Sequence, residues 1–264
     1  MFHMAIDPES PLLSASEGPA ARVLNARGVG AAVLVCEHAS RFIPASLEGL
    51  GLEDEAAGSH AAWDVGAMEL AVELMGALDA PLVHSRVSRL VYDCNRPPEA
   101  TGAVLARSER FEIPGNQGLS AAHHAQRVRD VYAPFRDLLA DAVAGRNDPP
   151  LMITIHSFTP VYNGIHRDID LGILHDTDNR AARALLGKVS PCGLRVALNQ
   201  PYSARDGVTH TLREHGVRNG LHNVMLEVRN DLIDTPTGVN RIAGLLSPML
   251  AELVADLTPE AASS

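Results

Sequence analysis

The chain has 264 residues, 46% of them hydrophobic and 20% charged, with a net charge of -10 from 22 Lys+Arg against 32 Asp+Glu. That length can bury a sizeable core, while the acidic balance and the lack of any Lys/Arg-rich stretch exclude the electrostatic footprint of a nucleic-acid binder. An anionic small molecule is admissible as a partner only through a local arginine cluster, because the overall field repels it.

Residues 1–20 carry Pro8, Pro11 and Pro19 and no basic start followed by an apolar block. They do not read as a secretory signal and are expected as a flexible extension ahead of one α/β domain over 21–258. Ala31 to Cys36 predicts a buried strand. The preceding Gly28-Val29-Gly30 lacks a third glycine and a following helix, so it is no dinucleotide fingerprint. Ser59 to Leu78 predicts a helix, with Val65, Met68, Leu70, Val72 and Met75 broadly at helical spacing. Pro81 to His84 and Leu90 to Tyr92 read as short strands. A Pro- and Gly-rich insertion from Arg96-Pro97-Pro98 to Pro114-Gly115-Asn116-Gln117-Gly118 follows, of a length that often carries function. Ser120 as N-cap and Gly145 as stop bracket a long helix, which Pro134 is expected to kink. Strands are predicted at Leu151 to Ile155, Ile169 to Leu174, Arg195 to Leu198 and Asn223 to Val228. Helices at Asn179 to Val189, His210 to His215 and Val239 to Leu257 separate or follow them, before a frayed tail at 259–264. Strands alternating with helices argue for a largely parallel sheet covered on both faces.

Cys36, Cys94 and Cys192 are odd in number and form no Cys-x-x-Cys pair, which predicts reduced thiols and a cytoplasmic location. No apolar run is long enough to span a membrane, so no membrane partner is expected; a homo-oligomer stays open.

Three segments, Cys36-Glu37-His38, Ile153-Thr154-Ile155-His156 and Met225-Leu226-Glu227, end an apolar run on a histidine or glutamate. Side chains there project into the crevice beyond a sheet. Hydrolysis at zinc needs neutral imidazoles and a carboxylate as ligands, with a separate carboxylate to take a water's proton. His38 and His156 fit as ligands and Glu227 as the base. Position 41, three residues after His38, is an arginine, so Asp64 is preferred as third ligand, with Glu37 second. No Gly-x-Ser-x-Gly elbow occurs, which argues against a serine hydrolase.

Ile155-His156-Ser157, Glu227-Val228-Arg229 and Asn95-Arg96 resemble signatures of the zinc carboxypeptidase and aminoacylase superfamily. More closely, Glu37-His38-Ala39-Ser40, Ala62-Trp63-Asp64-Val65-Gly66, the run Ser88 to Pro97, and Asn199-Gln200-Pro201-Tyr202-Ser203 resemble the N-formylglutamate amidohydrolase family over about Val33 to Ile233. The resemblance implies a zinc exopeptidase-like, three-layer αβα sandwich with a mixed, mostly parallel sheet. It also implies one zinc per chain and hydrolysis of a small anionic N-acyl amino acid, N-formyl-L-glutamate foremost, as in histidine degradation. A dicarboxylate calls for paired guanidinium contacts. Arg96 with Asn95 is assigned to the α-carboxylate, and Arg89, Arg86 and Arg167 are shared between the second carboxylate and the oxyanion, with Arg89 counted as catalytic. Asn199, Tyr202 and Ser203 are further candidate substrate contacts. Arg136 stands where the family shows a histidine. A zinc exopeptidase or deacylase for another carboxylate-terminated substrate, and a metal-free homologue that only binds a ligand, are the alternatives. His123, His124, His210 and His215 are read as helix-surface or supporting residues rather than ligands.

Overall fold

Ala32 to Cys36 are five successive fully buried residues, so this strand must be covered on both faces. In the computed structural model, which describes residues 7–189 and 192–258, it lies near the middle of a seven-stranded sheet. In chain order the strands are β1 (Ala21–Leu24), β2 (Ala32–Cys36), β3 (Leu82–Ser85), β4 (Arg107–Ser108), β5 (Phe111–Glu112), β6 (Leu151–Phe158), β7 (Val161–Tyr162), β8 (Ile165–His166), β9 (Leu171–Leu174), β10 (Val196–Leu198) and β11 (Asn223–Arg229). The α-helices are α1 (Asp54–Gly58), α2 (Ala67–Leu78), α3 (Ala121–Arg127), α4 (Ala133–Ala144), α5 (Arg180–Val189) and α6 (Pro236–Leu257). The large sheet runs β1-β3-β2-β6-β11-β9-β10. Its β2–β3, β2–β6, β6–β11 and β9–β10 pairings are parallel, and β1–β3 and β9–β11 antiparallel. The sheet is therefore mixed and mostly parallel.

Because side chains alternate across a strand, each central strand feeds two cores. Leu34, Ile153 and Leu226 pack with Leu70 and Leu74 of α2 and Leu246 and Leu250 of α6. Val35, Met152 and Met225 pack with Tyr92 and with Phe135 and Leu139 of α4. Helices thus cover both faces, giving three layers. Two small hairpins, β4–β5 and β7–β8, lie outside the sheet.

The structure departs from the sequence reading at several elements, and four of these have a clear physical cause. The helix expected over 59–78 starts only at Ala67: Gly66, at φ 75°, breaks it, and the Asp64 N–H donates to the His38 carbonyl instead (3.0 Å). Leu90 to Tyr92 form no strand, because the Leu90 carbonyl accepts from Asn116 Nδ2 (2.8 Å) and the Val91 carbonyl from buried Arg127 (3.0 Å). The long helix around Pro134 is continuous but widens into a π-turn at Val128–Tyr132, which absorbs the proline's missing N–H and ring clash. β1, unread from the sequence, is a four-residue edge strand with exposed Arg22 and only one fully buried residue, so it carries little hydrophobic signal.

Within the expected N-terminal extension, residues 7–20 are tied to the body. Leu12 is buried and its N–H donates to Asp130 (2.9 Å); Gln126 Nε2 donates to the Asp7 and Ser10 carbonyls (3.1 and 2.7 Å). Residues 1–6 and the tail expected at 259–264 lie outside the described residues. No helix among the described residues is long and apolar enough to cross a membrane.

Asp170, just before β9, joins three chain segments: it accepts from the Arg195 N–H (2.9 Å) and guanidinium (3.0 Å) and pairs with Arg229 (2.8 Å). Burial alone would raise its pKa, but the Arg195 bonds and the Arg229 charge outweigh burial and hold it below the usual carboxylate value. A depressed folded-state pKa adds stability above the unfolded value, lost as pH falls through the folded one. Asp170→Asn should therefore cost about 1–3 kcal/mol at pH 7, and the gap from wild type should narrow in urea unfolding as pH is lowered below the unfolded carboxylate value. A gap independent of pH would refute this linkage.

Candidate metal centre

His38, His156 and Glu227 come from three neighbouring strand ends. His38 follows β2 by two residues, and the register pairs His156 of β6 with Glu227 of β11, so both side chains leave the same face. Asp64 arrives on the loop ahead of α2. Gly66 makes that approach feasible: it is left-handed, and a Cβ there would lie 2.1 Å from the Ile233 carbonyl oxygen.

These groups converge. Nδ1 of His156 lies 2.9 Å from Asp64 Oδ2 and 3.2 Å from His38 Nδ1, and His38 Nδ1 lies 3.3 Å from the same oxygen. All three residues are buried, and they form a group able to hold a metal ion. The edge of a tetrahedron with metal–ligand bonds of about 2.0–2.1 Å is about 3.3–3.4 Å, so this triangle has the dimensions of one tetrahedral face. Each imidazole turns its other nitrogen to a carboxylate: His38 Nε2 lies 2.7 Å from Asp93 Oδ1, and His156 Nε2 3.0 Å from Glu37 Oε2. Such outer carboxylates fix the tautomer of metal-binding histidines. Asp64, not Glu37, meets the facing nitrogens; Glu37 sits on the far side of the His156 ring.

The electrostatics favour a cation. Arg89 bridges Asp64 (3.2 Å) and Asp93 (2.8 Å), but among the described residues Glu37 and Glu227 have no arginine or lysine partner. Burial disfavours positive imidazoles, yet the surrounding carboxylates, Glu37 first among them, hold His156 well above its ordinary pKa. A divalent ion would balance the same carboxylates in place of those protons. Glu227 is buried with Oε2 unpartnered, and desolvation pushes its pKa up to about 7. Arg213 and Arg229 do not neutralise it, being paired with Asp176 and with Asp170 and Asp231.

A cavity of about 180 Å³ opens on the triad and is also lined by His60, Arg89, Asp93, Asn95, Arg96, Ser157, Tyr162, Tyr202 and Glu227. The remaining expected residues divide. Arg96 lines the cavity while donating to the Asp206 carbonyl (2.7 Å). Asn95 lines it too, but its amide is consumed by the Val208 carbonyl (2.5 Å) and the Thr211 N–H (3.0 Å), so it shapes the wall. Arg167 lies behind Tyr202, donating to its hydroxyl (2.9 Å) and stacking on Phe158, Tyr162 and Tyr202. Arg86, Asn199 and Ser203 do not reach the wall. Arg86 binds the Glu17 and Pro19 carbonyls, Asn199 bonds to His175, and Ser203 caps the turn at Asp206. Arg136 pairs with Asp137. His210, read as a surface or supporting residue, is buried and meets the Tyr132 hydroxyl (2.7 Å). Asp93 was given no role by the sequence; its position four residues after Arg89 was the available signal.

Residues 30–234 match the family model described as N-formylglutamate amidohydrolase. A crystal structure of an Agrobacterium tumefaciens gene product is 45% identical, with a TM-score of 0.89 and a match covering 93% of this chain and 98% of that one. A structure described as N-formylglutamate amidohydrolase from Ralstonia eutropha JMP134 is 15% identical with a TM-score of 0.66, covering 89% of this chain and 98% of that one, a likeness of fold. No curated protein matches the chain.

Gly66→Ala should cost about 1–3 kcal/mol, as forced overpacking does, and weaken the hold of the triad on a divalent cation, for which zinc is the probe, by displacing Asp64. Gly76→Ala, in α2 with open space around it, should be neutral or stabilising. Denaturant unfolding and zinc titration of both variants check this; Gly66→Ala with unchanged zinc affinity would contradict it.

Proposed function

The chain belongs to the N-formylglutamate amidohydrolase family, and from that premise we propose that it is a zinc-dependent enzyme that cleaves the amide of an N-acyl amino acid. N-formyl-L-glutamate is the leading substrate, giving formate and L-glutamate. The observation that carries the reading is the convergence of His38, Asp64 and His156 beneath a cavity whose wall holds Glu227 with an unpaired oxygen.

His38, Asp64 and His156 would hold the ion, whose chemistry, when bound, is to polarise a carbonyl and lower a water's pKa toward about 7. Glu227 takes one proton from the attacking water as its oxygen bonds to the formyl carbon. The same carboxyl then gives that proton to the departing nitrogen as the C–N bond breaks, and the acid's remaining proton passes to the amine, leaving formate and an ammonium group. Arg89, kept protonated by Asp93 and Asp64 despite burial, offers positive charge where the carbonyl oxygen becomes anionic. Arg96 offers a planar fork for the substrate carboxylate, and Tyr202, backed by Arg167, completes that wall. The cavity is smaller than the roughly 300–1,000 Å³ of drug-sized sites, which supports a small acid over a peptide.

Zinc-loaded protein should release formate from N-formyl-L-glutamate, lose the activity on chelation and regain it with zinc. Glu227→Gln should keep its metal and lose about 10²–10⁴ in kcat. A panel of N-formyl and N-acetyl amino acids and dipeptides measures selectivity. No formate release refutes the substrate, and a Glu227→Gln variant at near wild-type rate removes Glu227 as the base.

A further inference from the structure

Glu37 is only 1% exposed and is absent from the cavity wall. A buried carboxylate persists only where something compensates its charge. The group beside it is His156, whose Nε2 lies 3.0 Å from Glu37 Oε2, with side chains 2% and 0% exposed. Strand parity explains the meeting. Glu37 continues the face of Val33 and Val35 on β2, and His156 the face of Met152 and Thr154 on β6, with β2 and β6 in parallel register. His38 has an equivalent outer partner in Asp93, but Arg89 neutralises Asp93, and among the described residues no arginine pairs with Glu37. The two ligand histidines therefore differ: one is backed by a neutralised carboxylate, the other by a full negative charge.

Resting on the metal-centre reading above, we propose that Glu37 is the positioning residue of that centre. Its carboxylate takes the Nε2–H of His156, turns Nδ1 toward Asp64 and His38, and sets how tightly the centre holds a divalent cation. Glu37→Gln keeps the side chain's shape but removes the charge, and its amide can present N–H to Nε2, favouring the wrong tautomer.

The test is zinc affinity of the full chain by competition with a chromophoric chelator, with the melting temperature of the metal-free protein read in parallel. Glu37→Gln should bind zinc 10- to 100-fold more weakly, the range for outer-partner loss, a loss larger than any fall in metal-free stability from breaking the Glu37–His156 pair. Unchanged affinity, or a loss accompanied by an equal fall in metal-free stability, overturns the proposal. Should the variant not fold, ¹⁵N-histidine NMR of zinc-loaded wild type decides: His156 protonated at Nε2 supports the role, and at Nδ1 overturns it. Wild type that binds no zinc would bring down the metal-centre reading and this proposal together, whereas wild-type binding with an unaffected Glu37→Gln removes only the role of Glu37.

Discussion

Three electron-rich atoms, Nδ1 of His38, Nδ1 of His156 and Oδ2 of Asp64, stand within 2.9–3.3 Å of one another in a buried site. Lone pairs so close repel unless a proton or a cation lies between them; burial opposes protonated imidazoles, but the surrounding carboxylates outweigh it at both histidines. Much of the surrounding structure can be understood as holding that arrangement. Asp93 and Glu37 fix the outer nitrogens, Arg89 clamps Asp64 and Asp93 together, and Gly66 allows the chain to pass close enough to Ile233 for Asp64 to arrive.

A further shell acts through the backbone. The segment around residues 88–96 carries Arg89, Asp93, Asn95 and Arg96, yet it is irregular and cannot rely on sheet hydrogen bonds. Arg127, buried and with burial pushing its pKa down to about 10, donates to the Val91 carbonyl and to Asn116, while Asn116 donates to the Leu90 carbonyl. Ser88 ties the segment to Ala62, two residues before Asp64. Rigid supports of this kind are what keep a polar site in one geometry.

Much of the fold was legible because the central strands are buried on both faces. Ala32 to Cys36, Leu151 to Ile155 and Asn223 to Val228 carry near-continuous apolar runs, and all appear as strands. Where a backbone depends on distant side chains the pattern misled, as at Leu90 to Tyr92. The site was legible in part for the same reason. His38, His156 and Glu227 stand out as polar residues closing apolar runs, whereas Asp93 lies in a loop with no periodicity to mark it. The arginines were the least readable: Arg86 and Arg89 are three residues apart in one loop, but one reaches the Glu17 and Pro19 carbonyls and the other the centre.

By itself the sequence determined the layered α/β class, the family, and which histidines and glutamate end the central strands, because hydrophobic periodicity and residue order are local properties of the chain. Only the tertiary structure decided that Asp64 rather than Glu37 faces the two imidazoles, and that Asn95 spends its amide on the backbone. Those outcomes depend on strand register, on a left-handed turn at Gly66 and on which edge of an imidazole a neighbour occupies. Each is a relation between segments far apart in the chain, so no local pattern records it.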